Sequence, residues 1–552
     1  MHEYSSLPRS VDFPFVNAVP AAARKQPAST PSVPASGLAA ALRRLDQPLF
    51  AVRAEGRVVL CESLTSWESL VGVVPAISAG DLGARSFRQA HGLRHACLSG
   101  AMAGGIASVD LVTAMGKAGF LGFFGAGGMA PAQIEQAILE VKRRLDGDEP
   151  FGFNLLHNHY EPQVELETVE LYLRHEVRRV EAAAFMQLTP AIVLYRAKGL
   201  RLASDGRVEA PNHVFAKVSR PEVAGPFLAP APEPLLRELV AAGKLTEQEA
   251  RLAATIPLAE AVSAEGDSGG HTDQRPLTVL IPLMLRERDL AMQRYGYAEH
   301  GVAIHVGAAG GIGEPQAALA AFSLGAEYLV TGSVNQSCLE AGTSPLVKKM
   351  LCEADMADVA TAPAPDMFES GAKVQVLRRG TMYAQRAQRL LEAYKAYPSF
   401  EAMPAAERER IERQILRRPF AEVWAETERY WSAREPAQAE RARADGKLRM
   451  ALCFRWYLGM SSRWARLGEQ ARQADFQIWC GPAIGAFNRW ARGTWLEGPA
   501  NRSASEVGLA MLRSTAALAR REVAVRAGVD ELPSASEVGK VPGREELGAS
   551  IQ

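Results

Sequence analysis

The stretch VAIHVGAAGGIGEPQAALAAFSLGAEYLVTGSVNQ, residues 302–336, determines the fold class of this chain. It holds two apolar runs that each end in a glycine-containing turn, GAAGGIG at 307–313 and TGSVNQ at 331–336, with a helical pattern between them. Apolar runs without polar alternation are typical of parallel strands that are buried on both faces. The stretch therefore predicts a strand–helix–strand unit of an α/β protein.

The same unit recurs along the chain from about residue 92 onward. The apolar runs are RHACLSGAMAG, GFLGFFGAGG, FGFNLLHN, RRVEAAAF, HVFAKVSR, AVSAEGDSGGH, VAIHVGAAGGIG and EYLVTGSVNQ. Eight strand–helix steps in about 250 residues predict a (β/α)8 TIM barrel. Active sites of such barrels lie at the carboxyl ends of the strands, which is where these runs carry Gly, Ser, Asn, Lys and His.

The sequence flanking the barrel has a different texture. Residues 1–43 are rich in Pro, Ala and Ser and predict a flexible leader, and residues 44–91 predict an extension with a β-hairpin at Glu55-Gly56. The barrel is expected over residues 92–368. The pattern after it is almost wholly helical, so we expect a helical extension over 369–515 and a flexible tail over 516–552.

Composition excludes several classes of protein. The 552 residues include 62 Lys+Arg and 62 Asp+Glu, and this zero net charge argues against a nucleic-acid or membrane-surface binder. No apolar run is long enough for a membrane span, and the N-terminus lacks the pattern of a secretory signal. The six cysteines form no C-x-x-C pair, so we expect a cytoplasmic protein with reduced thiols and no zinc site.

The glycine-rich turns after strands seven and eight predict a phosphate site. Glycine lets the backbone approach a phosphate closely, and paired loops at this position form the usual phosphate site of a barrel. Turn glycines without a ligand are the alternative. A third glycine motif, GAGGMA at 125–130, matches a dinucleotide fingerprint, but the next strand ends in Asn and His instead of an acidic residue. We therefore interpret it as a barrel loop.

The segment AEGDSGGHTDQRP, residues 264–276, predicts an acid/base residue beside a planar cofactor. Gly269 and Gly270 would let a flat ring lie against the backbone while His271 reaches its edge, although a purely structural His271 is the alternative. Lys217 lies within the apolar run HVFAKVS, and a buried lysine there needs an anionic partner or loses its charge. A ligand phosphate, an electron-rich ring or an Asp or Glu from elsewhere would each serve.

Several motifs together resemble one superfamily. SGAMAGGIAS, FGFNL, KVSRPE, DSGGHTD, GAAGGIG and TGSVNQ resemble the flavin barrels of nitronate monooxygenases and FMN-dependent enoyl reductases. VEAAAFMQLTPAIVLYRAKG, EADMADVATAPAPDMFESGAKVQVLRRGTMYAQRA, FRWYLGMSSRWA and QIWCGPAIGAFNRW are similar to the PfaD family. Members of that family are trans-acting enoyl reductases of polyunsaturated fatty acid and polyketide synthases. The resemblance covers roughly residues 45–500.

The resemblance implies FMN as the cofactor, NADPH as the hydride donor and an acyl carrier protein as the partner. It leaves a homodimer open. His271 matches the catalytic histidine of the superfamily. The residues implied to bind FMN are Gly100, Met102, Asn154, Lys217, Asp267, Gly269, Gly270, Gly310, Gly311, Gly332 and Ser333.

Two other functions compete with enoyl reduction at this point. One is a nitronate monooxygenase, although those enzymes usually continue G-G-H-x-G, whereas Asp273 replaces the last glycine here. The other is a non-catalytic component that docks carrier proteins.

The helical extension carries two features of its own. An apolar stripe with Phe454, Trp456, Tyr457 and Trp464 is expected to pack on the barrel beside the site. A second expectation is that Arg378, Arg379 and Arg386 form a basic rim for an acidic carrier protein, with a solvated helix face as the alternative.

Overall fold

The computed structural model describes residues 32–157 and 162–548. The strands are β1 (Leu49–Ala54), β2 (Arg57–Cys61), β3 (Leu70–Val74), β4 (Cys97–Ser99), β5 (Leu121–Phe124), β6 (Phe151–Leu156), β7 (Arg179–Ala183), β8 (Arg201–Leu202), β9 (Val208–Glu209), β10 (His213–Val218), β11 (Ala261–Glu265), β12 (Gly270–His271), β13 (His305–Ala309), β14 (Tyr328–Thr331), β15 (Val359–Pro363) and β16 (Lys373–Leu377).

Helices fill most of the remaining chain. They are α1 (Leu38–Arg43), α2 (Arg85–His91), α3 (Val109–Lys117), α4 (Pro131–Arg144), α5 (Pro162–Arg174), α6 (Pro190–Ala197), α7 (Pro221–Leu228), α8 (Glu233–Ala241), α9 (Glu247–Ala253), α10 (Leu277–Tyr295), α11 (Pro315–Ser323), α12 (Ser333–Gln336), α13 (Pro345–Cys352), α14 (Tyr383–Ala396), α15 (Ala405–Arg410), α16 (Phe420–Arg434), α17 (Pro436–Ala444), α18 (Gly446–Leu467), α19 (Ala483–Ala491), α20 (Ala504–Arg526), α21 (Ala535–Val538) and α22 (Arg544–Gly548). Within the described ranges, no helix is both long and apolar enough to cross a membrane.

The predicted barrel is confirmed. Eight parallel strands close in the order β4-β5-β6-β7-β10-β11-β13-β14, and β14 pairs with β4. Each of them lies in one of the apolar runs identified from the sequence; Asn158, the last residue of the third run, is outside the described residues. Proline opens α4, α6, α7 and α11, where its fixed φ suits the first helical turn.

Aromatic side chains fill the interior of the barrel. Phe87 of α2 stacks on Tyr328 of β14 with ring centroids 4.3 Å apart, and Phe123 and Phe215 pack edge-on with centroids 5.1 Å apart. These rings belong to one buried cluster with apolar side chains of β4, β5 and β11. The barrel interior is therefore a packed core, and a ligand has to bind beyond this cluster.

The N-terminal extension contains the predicted hairpin. Glu55 and Gly56 both have positive φ, 49° and 81°, as a two-residue turn between β1 and β2 favours, and β3 adds a third strand. Residues 1–31 of the predicted leader are outside the described residues. Residues 32–43 are ordered, because α1 buries Leu38, Ala41 and Leu42 against α20, so the leader prediction is wrong for them.

The predicted flexible tail is wrong for residues 516–548. Helix α20 runs through the predicted boundary at 515 and packs against α11 on the outside of the barrel. Val538, Val541 and Leu547 are buried in the same core. The sequence of the tail looks polar, but its few apolar residues pack into the core that includes the barrel helices. Residues 549–552 are outside the described residues.

The helical region, residues 383–475, has a core of its own. That core includes side chains of α13, β15, β16, α14 and α18. Phe454, Tyr457 and Trp464 lie in it, and Trp456 packs on Trp464 with ring centroids 5.9 Å apart. The stripe therefore packs in the core of the helical region, which also includes Val347, Met350 and Leu351 of α13 at the end of the predicted barrel range, and its packing beside the site stays a prediction.

Candidate active site

The carboxyl ends of the barrel strands bring the predicted site residues to one face. Gly100 and Met102 follow β4, Asp267 and Gly269 follow β11, and Asn154 and Lys217 lie within β6 and β10. Gly270 and His271 form the short strand β12. Gly310 and Gly311 follow β13, while Gly332 and Ser333 follow β14. We call Gly310, Gly311, Gly332 and Ser333 the glycine cradle.

Three charged side chains of adjacent strands form the floor of this face. Lys217 of β10 has its Nζ 3.4 Å from Glu265 Oε1 of β11, and Glu181 of β7 is 1% exposed beside them. Burial lowers the pKa of Lys217, but the charges of Glu265 and Glu181 outweigh it, and the net pKa is raised. The anionic partner that Lys217 requires is therefore carboxylate. We call Glu181, Lys217 and Glu265 the charged floor.

Glu181 connects the charged floor with the end of β4. Its Oε2 accepts a hydrogen bond from Ala101 N at 3.0 Å. A Cβ built on Gly100 would lie 2.9 Å from Val330 Cγ1 and 3.4 Å from Glu181 Oε1, so glycine is needed there for close packing. On the neighbouring strand, the buried Asn154 accepts a hydrogen bond from Gly127 N at 3.1 Å through its side-chain oxygen.

His271 pairs with a residue that the sequence did not indicate. Its Nε2 is 2.9 Å from Asp366 Oδ1, and both side chains are about half exposed. Burial lowers the pKa of His271, but the hydrogen bond and charge of Asp366 outweigh it and raise the pKa. A protonated imidazole at the edge of the site can act as a general acid.

The loop that carries His271, residues 266–275, is held by the segment after the barrel. Strand β12 pairs antiparallel with β16, which also pairs with β15. The buried Gln375 of β16 donates from Nε2 to Asp267 Oδ1 and to Ser268 O, both at 2.8 Å, and its Oε1 accepts from Gln274 Nε2 at 2.8 Å. The β15–β16 hairpin is therefore part of the site.

Asp273 ties the same loop to β10. Its carboxylate accepts from Ser219 Oγ at 2.7 Å and from Arg220 Nε and Nη2 at 2.6 and 2.8 Å. The hydrogen bond from Arg220 lowers the pKa of Asp273 to about 2, so the pair stays ionised at neutral pH. This contact is the structural consequence of replacing the glycine of the G-G-H-x-G pattern.

The glycine cradle combines close contacts with open space. Gly310 has φ +82°, and a Cβ there would lie 2.9 Å from Asp267 O. Around Gly332 no heavy atom of the described chain lies within 4 Å of a built Cβ, and around Gly311 the nearest is Leu277 Cδ1, at 3.8 Å. Ser333 Oγ accepts from Gly481 N at 2.9 Å, so its own O–H proton is available to donate.

Some site residues had a readable signal in the sequence and others had none. Glu181 is an acid inside the apolar run RRVEAAAF, so the reasoning applied to Lys217 would have found it. Asp366, Gln375 and Gly481 lie in the segments after the barrel and reach the site only through the tertiary fold.

Comparison with known proteins gives the family. The family model described as nitronate monooxygenase matches residues 89–378, which is more than half of the chain. A second family model, described as the inserted helical domain of [acyl-carrier-protein] S-malonyltransferase, matches residues 397–476, which lie in the helical region apart from Phe476.

The chain is similar to a synthase subunit and to a polyketide biosynthesis protein, and it spans only part of each. It is 45% identical over 83% of its length to one component of the polyunsaturated fatty acid synthase of Thraustochytrium sp., of which it spans 30%. It is 43% identical over 81% of its length to the polyketide biosynthesis protein PksE of Bacillus subtilis, of which it spans 57%. The resemblance inferred from the sequence motifs is confirmed.

One solved structure matches over nearly its whole length. It is the enoyl reductase domain of MlnA from the macrolactin biosynthesis cluster of Bacillus amyloliquefaciens, with 36% identity and a TM-score of 0.77. The alignment covers 81% of this chain and 99% of that domain. The family model shows that the chain belongs to the nitronate monooxygenase family, and the structure match shows that it is similar to the enoyl reductase domain of MlnA.

Proposed function

We propose that this chain is an FMN-dependent enoyl reductase that uses NADPH to reduce the carbon–carbon double bond of an enoyl thioester on an acyl carrier protein. One observation carries the proposal. The His271–Asp366 pair, the charged floor and the glycine cradle share one face of the barrel, in a chain that aligns with 99% of an enoyl reductase domain.

The residues on this face fit FMN. Open space at Gly311 and Gly332, with the O–H proton of Ser333 beside it, suits a phosphate that approaches the backbone closely. A flavin ring that gains negative charge requires a positive charge near it, and Lys217 supplies one. Lys217 lies on β10, which β11 separates from the strands that carry the glycine cradle. Gly310, Gly311, Gly332 and Ser333 would hold the phosphate. Gly100, Met102, Asn154, Lys217, Asp267, Gly269 and Gly270 would hold the ring and its ribityl chain.

Bound FMN would supply a two-electron carrier that accepts hydride from NADPH and delivers it to the β-carbon of the enoyl thioester. Hydride addition at the β-carbon places negative charge on the α-carbon and the thioester oxygen. His271 would donate its proton to the α-carbon, which completes the saturated product. A positioned general acid contributes typically about 10²–10⁴-fold to rate.

Asp366 and Lys217 would prepare the site for this charge movement. Asp366 holds His271 at Nε2 and raises its pKa, so that the imidazole carries a proton to donate. Lys217 keeps its proton beside Glu265 and Glu181, so a fixed positive charge is present where negative charge would develop.

The acyl carrier protein is proposed as the partner on three grounds. The relatives are a subunit of a polyunsaturated fatty acid synthase and a polyketide biosynthesis protein, and residues 397–476 match a helical domain from an enzyme that acts on acyl carrier protein. Arg378 and Arg379 are exposed beside the β15–β16 hairpin. Arg386 does not join this rim, because it pairs with the buried Asp475.

A nitronate monooxygenase is the second candidate, favoured by the family model over residues 89–378. In that reaction His271 would act as a base, and O₂ would be the electron acceptor. The raised pKa of His271 favours an acid over a base, and Asp273 departs from the pattern of those enzymes.

Anaerobic incubation with NADPH and a crotonyl-loaded carrier protein tests the proposal, with the product read by mass spectrometry. We expect the acyl group to gain two hydrogen atoms, and the His271→Ala variant to do so about 10²–10⁴-fold more slowly. No reduction of the thioester, combined with O₂ consumption in the presence of a nitronate, would establish the second candidate. If neither reaction is observed, a non-catalytic docking component is the function that remains.

A further inference from the structure

We propose that Glu181 is the proton-accepting group of the charged floor, and that its carboxylate takes up one proton whenever the site gains a hydride equivalent. The inference rests on the proposed function, because the hydride equivalent is carried by FMN. It assigns to Glu181 a role distinct from that of His271, which donates to the substrate.

The position of Glu181 sets it apart from the other acids near the site. It lies inside the barrel on β7, yet its carboxylate reaches across the interior and accepts a hydrogen bond from the backbone N–H of Ala101, after β4. The residue is only 1% exposed. Its Oε1 faces Gly100, one of the residues proposed to contact the cofactor ring. An acid in this position responds directly to charge on that ring.

The charge balance of the floor is uneven. Two carboxylates, Glu181 and Glu265, surround a single lysine, and Lys217 makes its ion pair with Glu265 at 3.4 Å. Glu265 is supported further by Ser268 Oγ, which donates to it at 2.9 Å. Glu181 is therefore the less compensated of the two carboxylates, and added negative charge nearby makes its ionised form still less favourable.

Four strands of the barrel place residues around Glu181. Asn154 of β6 lies opposite it in the strand register, Lys217 comes from β10, Glu265 from β11 and Ala101 N from the end of β4. Burial raises the pKa of Glu181 most, and the charge of Glu265 raises it further, whereas Lys217 and the Ala101 hydrogen bond lower it. The net pKa is raised.

Lys217 does not compete for this role. Its pKa is raised, so Lys217 already holds its proton and has no capacity to take up another. When NADPH delivers two electrons and one proton as hydride, Glu181 binds one further proton from solvent. When the hydride leaves for the β-carbon of the substrate, Glu181 returns that proton. The proton that Glu181 binds and returns cancels over one turnover, so the overall reduction of the double bond by NADPH needs no additional reactant.

The test is the pH dependence of the midpoint potential of the flavin-loaded full-length protein. The midpoint potential of a two-electron couple shifts by about 29.6 mV per pH unit for each proton that is taken up with the electrons. Where Glu181 takes part, we expect a slope of about 59 mV per pH unit, and in Glu181→Gln a slope of about 30 mV per pH unit. Glutamine keeps an oxygen for Ala101 N, so the fold should survive.

Glu249→Gln is the matched control. Glu249 is another buried glutamate that accepts a backbone hydrogen bond, from Gly199 N at 2.8 Å, and it lies on α9 away from the site. Its variant should keep the wild-type slope. A slope that is the same in wild type and Glu181→Gln overturns the inference and leaves the proposed function standing.

If the Glu181→Gln variant fails to bind FMN, a second measurement on the wild-type protein tests the inference. The infrared difference spectrum between reduced and oxidised wild-type protein should then contain the C=O band of a newly protonated carboxylic acid. Absence of that band overturns the inference. A wild-type protein that binds no flavin at all contradicts the proposed function, and that outcome is recognisable before any potential is measured.

Discussion

The glycine cradle offers the sharpest prediction about cofactor binding. Within the described chain, Gly332 has no heavy atom within 4 Å of a built Cβ and its φ is negative, so Gly332→Val puts a side chain into open space. Gly311 is less suitable, because its φ of +70° would strain any side chain irrespective of a ligand. We expect Gly332→Val to fold normally and to lose the space for the phosphate of FMN.

The magnitude follows from the hydrogen bonds that a phosphate would make in the cradle. Each hydrogen bond to a charged group contributes about 1.5–3 kcal/mol. Losing two of them weakens FMN binding by about 3–6 kcal/mol, or roughly 10²–10⁴-fold. The unfolding free energy should change by less than about 0.5 kcal/mol, as for a substitution that meets no neighbours.

The assay compares FMN with riboflavin, which has the same ring and lacks the phosphate. Flavin-depleted wild-type protein should bind FMN more tightly than riboflavin by the factor given above, whereas Gly332→Val should bind both with similar affinity. Gly498→Val is the matched control, since Gly498 also has open space around it and lies outside the site. If Gly332→Val retains the wild-type preference for FMN, the phosphate is bound elsewhere and the reasoning is refuted.

Three further predictions concern other parts of the molecule. Asp366→Asn removes the charge that raises the pKa of His271; because the acid must be protonated, the alkaline limb of the kcat profile should move to lower pH, and an unmoved limb would remove Asp366 from the mechanism. Arg378→Glu with Arg379→Glu should lower kcat/KM for a carrier-bound enoyl group at low salt and spare a small free thioester; equal effects on both substrates would contradict carrier docking. Asp475→Ala should lower the unfolding free energy by about 3 kcal/mol in urea denaturation, because Asp475 is fully buried among arginines. A change below about 1 kcal/mol would mean that this cluster of charges is not needed for stability.

The barrel was predictable because its signals are local. Each strand is an apolar run, most of the runs lead into a glycine or serine, and the helices between them have their own period, so eight repeats specify the closed sheet. The site glycines were predictable for the same reason. Their position at the ends of strands follows from the repeat itself.

The remainder of the site depends on contacts between distant parts of the chain. His271 and Asp366 are 95 residues apart, and Gln375 and Asp267 are 108 residues apart. No periodicity links such positions, and in the described part of the chain the pairing of β12 with β16 places the two segments side by side. The same reason explains the tail, since the apolar residues of 516–548 are identified as core only when α11 and α20 are seen in contact.

The reoxidation of the reduced protein tests the central claim most directly. Protein that has been reduced by NADPH under anaerobic conditions is mixed in a stopped-flow instrument with crotonyl-loaded carrier protein, and the flavin absorbance is followed. We predict that the oxidised flavin spectrum returns and that one butyryl group forms for each flavin. A flavin that stays reduced with the crotonyl substrate, and is reoxidised only when O₂ is admitted, would contradict an enoyl reductase.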